Sequence, residues 1–539
     1  MYILTVERRR KSINGQWETI FESQVVGIHS ALLNNGKVLL FSYKSKDSNH
    51  SHGSSNGGSH NHSHGSADSI GDSEVVDIFS KTSQRIDLQR NIFCGGTCFL
   101  DDGRLLVAGG QYPTIYKIIN PPCNDINTFD PLSNNWRYLS ESDTKLRMKG
   151  RWYPTCLTLS NGQAIIISGR YSFYQIHFWI FKFVNNTLQS FANYDNSLST
   201  PRELPFKVDL YPFMHLLPDG KIFVHSNNTT RLYDSLTNTW IRNENNNLTE
   251  IKTNYKYSRT NPGQGTSVLL PLTPYSNPPY NPKILLIGGA GSNNPGINTP
   301  ATNTVEKMDF KEANLRWQQI SSMNHRRVMP DSVILPDQTV FVVNGSGKGR
   351  SDQAVDPVLE PEIFNPFTET WTKAQPMNIP RLYHATALLL PDGSILTTGT
   401  DGEWNKPPFN QDQKNLELFR PWYFFESSRP EITNQPDEVL HNEKFKLRYS
   451  HPKAINKVVI IRPSSVTHSL NTEQRLVELE LLSKSVNELE LKSPPNGLIS
   501  PPGYYMLFLI DEDGIPSRSR FMRISINQQT ANEQRTNVV

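Results

Sequence analysis

Cysteine is scarce in this 539-residue sequence: Cys94, Cys98, Cys123 and Cys156 are the whole supply. Four thiols in so long a chain make no disulfide framework, and their spacings match no zinc ribbon or finger. Strong charge is missing too, because 54 basic and 51 acidic residues leave a formal net charge of +3. That balance gives no field to draw nucleic acid or an acidic polymer, so small uncharged partners are expected. No apolar run approaches the ~20 residues needed to span a bilayer, so no membrane span is expected. The opening MYILTVERRRKSINGQWETI places its basic residues after a short apolar stretch, the reverse of a signal peptide, and no export signal is expected in it. Hydrolase signatures are also wanting. G-x-S-x-G occurs only as GSSNG at 53–57, in a Ser/Gly/His-rich stretch that offers no strand-to-helix elbow, and NGSGKGRS at 344–351 is an incomplete phosphate loop.

What the chain does contain is a repeat. LLNNGKVLLFS begins at 32, FLDDGRLLVAGG at 99, TLSNGQAIIISG at 158, LLPDGKIFVHS at 216, ILPDQTVFVVNG at 334 and LLPDGSILTTG at 389. A looser copy, with a proline-rich connection, lies between 264 and 290. Each reads as strand, Asn/Asp-Gly turn, strand, because these residues tolerate the positive φ that tight hairpins demand. A second signature follows most copies: TFDPLSNNW ending at Trp136, LYDSLTNTW at Trp240, KMDFKEANLRW at Trp317 and IFNPFTETW at Trp371. Two hairpins per repeat at a period of about 55 residues match the kelch rhythm, whose units assemble radially. The sequence therefore predicts an all-β protein with a seven-bladed kelch-like propeller over residues 1–414.

After residue 415 the repeat stops, and alternating or continuous apolar strands separated by turns predict an immunoglobulin-like β-sandwich over 415–526. Residues 527–539 read as a flexible tail. An insertion at 48–69, SNHSHGSSNGGSHNHSHGSADS, carries His50, His52, His60, His62 and His64 and is too rich in Ser, Gly and Asn to build a core. It reads as a flexible loop, with loose copper, nickel or zinc binding as the functional alternative.

Hairpins need apolar and turn residues but no metal ligands, so reactive residues beside them are informative. Cys94 stands in NIFCGGT, Tyr153 in GRWYPT, and Tyr383 and His384 in PRLYHAT, each just before an inner hairpin. In a propeller the starts of the inner strands share one end of the axis, so these residues are expected to converge there.

On these motifs the chain resembles the copper radical oxidases, the galactose oxidase and glyoxal oxidase family, and lies nearer the glyoxal oxidase branch. The resemblance implies a thioether between Cys94 and Tyr153, with Tyr153 also bound to copper. It implies Tyr383 as axial ligand and catalytic base, His384 as one equatorial imidazole, and His468, in SSVTHSLNTEQR, as the other. Two imidazoles, two phenols and an exchangeable water suit Cu(II), whereas zinc favours a closed tetrahedral set. The implied reaction oxidises a small aldehyde or primary alcohol and reduces dioxygen to hydrogen peroxide, a thioether-linked tyrosyl radical holding the second electron equivalent. Where galactose oxidase shields this ring with tryptophan, the corresponding segment is SGRYSF, which puts Tyr171 in the stacking position. Arg259, in YSRTNPGQG, is expected either to orient an oxygenated substrate or to be a solvated surface residue. The resemblance also implies a monomer acting outside the cell or at its surface. A non-catalytic propeller binding protein or carbohydrate is the competing expectation.

Overall fold

The computed structural model describes residues 14–44, 70–111, 123–146, 148–176, 179–402, 405 and 407–526. The His-rich insertion and the tail fall outside them. Among the described residues the architecture is all-β, interrupted by two short helical turns at Glu141–Thr144 and Trp422–Phe425. No helix among them is long and apolar enough to cross a membrane.

The inner hairpins form where the turn chemistry places them, with one refinement. At Ala385–Leu389 and Ile395–Gly399, Leu390 N–H donates to Ser394 O (2.8 Å) and Gly393 N–H to Leu390 O (2.9 Å). This is a three-residue loop in which only Gly393 is left-handed, at φ 88°. Asp392 contributes its carboxylate instead, accepting from Ser394 N–H at 2.9 Å. In the sixth copy Gln338 takes the glycine place at φ 72°.

Seven sheets are built around a four-stranded antiparallel meander. Their inner strands lie side by side in chain order, from Gly96–Phe99 through Thr155–Thr158, Phe213–Leu216, Thr266–Leu269, Asp331–Ile334 and Ala385–Leu389 to His29–Leu32. Apolar side chains fill the gaps between sheets. Cys98 and Leu106, for example, meet Cys156, Ile166 and Phe191 of the next sheet. Each large apolar side chain so buried contributes about 1.5–3 kcal/mol. Three outer tryptophans stitch their sheets to the preceding one: Trp136 Nε1–H donates to Ser73 Oγ (2.9 Å), Trp317 to Thr230 Oγ1 (3.2 Å) and Trp371 to Ser321 O (2.9 Å).

One boundary departs from the sequence expectation. Strand Asn415–Arg420, assigned above to the following sandwich, pairs with Ile395–Gly399, so the boundary at 414 falls too early. Its NLELFR pattern buries Leu416, Leu418 and Phe419 against the repeats, and that burial decides its allegiance. The N-terminal strand Gln16–Glu22 then completes the same sheet by pairing with 415–420. It brings Trp17, which donates to Gln375 O (2.7 Å) as the other tryptophans do to their neighbours.

Beyond residue 430 two sheets face each other. One contains Glu431–Asn434, Lys444–Ser450, Glu480–Ser485 and Glu488–Lys492; the other is centred on Ile455–Ile461 and Gly503–Asp511. Between Ile461 and Leu476, which pair with each other, the chain leaves this module as a finger. Finger strand Ser465–Thr467 adds to the inner strand His29–Leu32. Its side chains bond inner strands of several sheets: Ser465 Oγ–H to Thr97 Oγ1 (2.7 Å), Asn471 Nδ2–H to Ser332 O (3.2 Å) and Gln474 Nε2–H to Ile334 O (3.0 Å).

Candidate metal centre

Cys94, Tyr153, Tyr211, Gln264, Met329 and His384 each stand one or two positions before an inner strand. All but Gln264 are left-handed, with φ of 60°, 64°, 49°, 57° and 68° in chain order. Such backbone is costly for bulky side chains and persists only where its surroundings impose it. Here neighbouring repeats impose it on one another. Tyr153 N–H donates to Cys94 O and Tyr211 N–H to Tyr153 O, both at 2.9 Å, while Met329 N–H donates to Gln264 O at 2.7 Å. The result is that equivalent positions of successive sheets are held in register at the same end of their inner strands.

His468 enters from the finger, itself left-handed at φ 49°, with its carbonyl held by Gln264 Nε2–H (2.8 Å). The expected residues meet around it. His384 Nε2 lies 2.8 Å from His468 Nε2, Tyr153 Oη lies 3.1 Å from the same atom, and Tyr383 Oη lies 2.6 Å from Tyr153 Oη. Cys94 Sγ is 3.6 Å from His468 Nε2, and the Cys94, His384 and His468 donor atoms all lie within 4.8 Å of one another. All five residues are buried.

Hydrogen bonding settles the tautomers. Thr467 Oγ1–H is committed to Ile28 O (2.9 Å), so toward His468 Nδ1, 2.6 Å away, it can only accept. His468 therefore carries its proton on Nδ1. His384 Nδ1 donates to Asp401 Oδ2 at 3.1 Å, and Tyr43 Oη–H donates to the same oxygen at 2.8 Å. Both Nε2 lone pairs thus face each other, an arrangement that repels unless a cation lies between them. The donor set, two imidazoles and two phenols with a thiol beside them, fits a tetragonal transition-metal site.

Burial holds these groups neutral. It pushes the Tyr153 and Tyr383 phenols and the Cys94 thiol well up, and lowers the His468 imidazole well below its usual range. His384 is also lowered by burial, with Asp401 opposing the shift. A bound cation would reverse the preference for the phenols and favour phenolate.

Tyr171 lies in strand Arg170–Ile176, but its side chain falls outside the described residues. Among the described residues, Tyr153 is packed by Trp152, edge-on with centroids 3.9 Å apart, by Tyr211 at 4.5 Å and by the His468 imidazole at 4.7 Å; Arg170 lies over Trp152 at 3.8 Å. Arg259 is neither a surface residue nor directed at the centre. Its guanidinium is fully buried, pairs with Glu306 at 2.8 Å and donates to Gly288 O and Thr304. Arg327 and Arg381 repeat this brace with Glu362 and Glu417, so Arg259 belongs to the framework of its sheet. Asp401, Tyr43, Gln264 and Trp152 escape the sequence reading. Tyr211 need not have, since LYPF repeats the Tyr-Pro of RWYPT before an inner strand.

Residues 28–423 match the family model described as glyoxal oxidase N-terminus, and residues 429–524 match galactose oxidase-like, Early set domain. The chain is 28% identical over 484 residues to aldehyde oxidase GLOX of Vitis pseudoreticulata, covering 84% of this chain and 85% of that protein. It is 27% identical over 490 residues to aldehyde oxidase GLOX1 of Arabidopsis thaliana, covering 84% and 74%. A fungal alcohol oxidase solved in complex with copper superposes with a TM-score of 0.72 at 19% identity, over 95% of this chain and 99% of that one, which establishes a shared fold.

Proposed function

The chain belongs to the glyoxal oxidase family, and on that premise we propose that it is a copper radical oxidase converting a small aldehyde or primary alcohol with dioxygen into the oxidised product and hydrogen peroxide. The observation that carries this reading is the pair of Nε2 lone pairs 2.8 Å apart, flanked by two phenol oxygens.

In this reading His384, His468, Tyr153 and Tyr383 hold copper, and Cys94 Sγ is bonded to the Tyr153 ring. The metal supplies one-electron redox capacity. The sulfur-substituted Tyr153 ring supplies the second equivalent that two-electron oxidation of an alcohol or aldehyde hydrate requires. Tyr383 Oη, 2.6 Å from Tyr153 Oη, takes the proton that a substrate hydroxyl gives up. Burial of the phenols and imidazoles keeps bulk water from quenching a ring radical. The balance is RCH2OH + O2 → RCHO + H2O2, or RCH(OH)2 + O2 → RCOOH + H2O2 for a hydrate.

The same reading takes the seven sheets as blades of a kelch-like propeller and the last two as an immunoglobulin-like sandwich. Its support is the chain-order adjacency of the inner strands and the completion of the last sheet by residues 16–22. Copper loading in air should shift the denaturing-gel mobility of the wild type but not of Cys94→Ser, and should yield peroxide from methylglyoxal or galactose. A wild type that neither shifts nor makes peroxide would instead be a binding scaffold.

A further inference from the structure

We propose that Asp401 is the positioning residue of this centre: with Tyr43, it holds His384 in the tautomer that leaves Nε2 free to face His468. The inference rests on the copper reading above. A carboxylate can only accept, so the proton between Asp401 Oδ2 and His384 Nδ1, 3.1 Å apart, belongs to the imidazole. Tyr43 Oη–H donates to the same oxygen at 2.8 Å and so orients it.

The alternative tautomer has its own attraction. If the His384 proton moved to Nε2, it would point at the His468 Nε2 lone pair 2.8 Å away, a good hydrogen-bond length. The two imidazoles would then bond to each other, and neither would offer a lone pair to a metal. Asp401 decides between a centre that closes on itself and one that can receive a cation. Carboxylates that accept from a metal-binding imidazole in this way raise ligand basicity and fix ring orientation.

The carboxylate is itself well placed. Asp401 N–H donates to Tyr383 O (3.1 Å), Thr400 N–H to His384 O (3.2 Å) and Asn405 Nδ2–H to Asp401 O (2.6 Å). Phe93, next to Cys94, stands edge-on between Tyr43 and His384, with ring centroids at 5.0 and 5.5 Å. The Tyr43, Asp401 and His384 side chains are therefore registered by packing as well as by hydrogen bonds.

The test uses the full chain labelled with 15N-histidine. In the metal-free wild type, the His384 nitrogen shifts should report a proton on Nδ1; in Asp401→Leu they should report one on Nε2. Copper affinity by chelator competition should fall about 10–100-fold in Asp401→Leu and by less in Tyr43→Phe. Asp401→Asn, whose amide oxygen can still accept, should recover most of the loss. Should the leucine variant not fold, Asp401→Ala makes the same comparison. An Nδ1-protonated His384 in the leucine or alanine variant, or wild-type copper affinity there, overturns the inference. A wild type that binds no copper overturns the oxidase reading instead, while the metal-free tautomer measurement still judges Asp401.

Discussion

Arg462 and Glu473 stand at the root of the finger that carries His468, with Nε and Oε2 2.6 Å apart and both side chains 2% exposed. Replacing Glu473 by Ala leaves a buried guanidinium without its counter-charge. Breaking such pairs costs about 3–5 kcal/mol. Arg462 would keep its bonds to Pro501 O, Pro502 O and Phe99 O, so its charge would remain partly solvated by dipoles. The loss should therefore lie near the lower bound, about 3 kcal/mol. Because the pair ties the finger to the inner strands, the cost should appear first as local opening. Amides of residues 463–474 should exchange roughly a hundredfold faster by hydrogen-exchange mass spectrometry, at about 1.4 kcal/mol per tenfold, while strand Gly503–Asp511 keeps its protection. A double variant, Arg462→Met with Glu473→Leu, removes both charges together and should lose clearly less than the two single losses summed. Additive losses, or unchanged exchange in Glu473→Ala, would refute the claim that this ion pair seats the finger.

Arg259→Met should lower unfolding stability by about 3 kcal/mol or more, since it strands buried Glu306, yet leave the KM for methylglyoxal unchanged in a peroxidase-coupled assay. Gly399→Ala introduces a Cβ 2.3 Å from His384 O at a residue with φ 80°; the displaced backbone should cost about 1–3 kcal/mol and weaken copper binding measured by chelator competition. Burial pushes the Asp331 carboxyl up to about 8. Between about pH 4 and 8 the unfolded chain has released this proton while the folded chain keeps it, so stability falls as pH rises, by up to about 1.4 kcal/mol per unit. Asp331→Asn should flatten that slope in thermal melts across this window, and an unchanged slope would refute the assignment.

The repeat was legible because its signals are local: a turn residue, a left-handed glycine and apolar alternation within a dozen positions. Strand 415–420 was misplaced, and the pairing of residues 16–22 within the propeller range went unread, because their partners lie in distant segments and no local pattern announces a pairing of such separation. Five members of the centre could be named because each sits beside a repeat landmark or in a family motif. Asp401 carries no such mark; its role exists only because Thr400 and Asp401 fold back onto Tyr383 and His384. Arg259 misled for a different reason. Arg151 and Arg327 precede Tyr153 and Met329 by two positions, whereas the Thr-Asn-Pro-Gly stretch after Arg259 separates it from Gln264 and hides the shared framework role.

The finger has a consequence for synthesis. His468 lies far downstream of Cys94, Tyr153, Tyr383 and His384, and the strand that receives residues 16–22 does not emerge until residue 420. A nascent chain, or one cut short by premature termination before residue 415, can stack its early sheets yet lacks both the strand that residues 16–22 pair with and the second imidazole. The centre proposed above therefore cannot assemble before residue 468 has been made, and fragments ending earlier lack one of its two imidazoles.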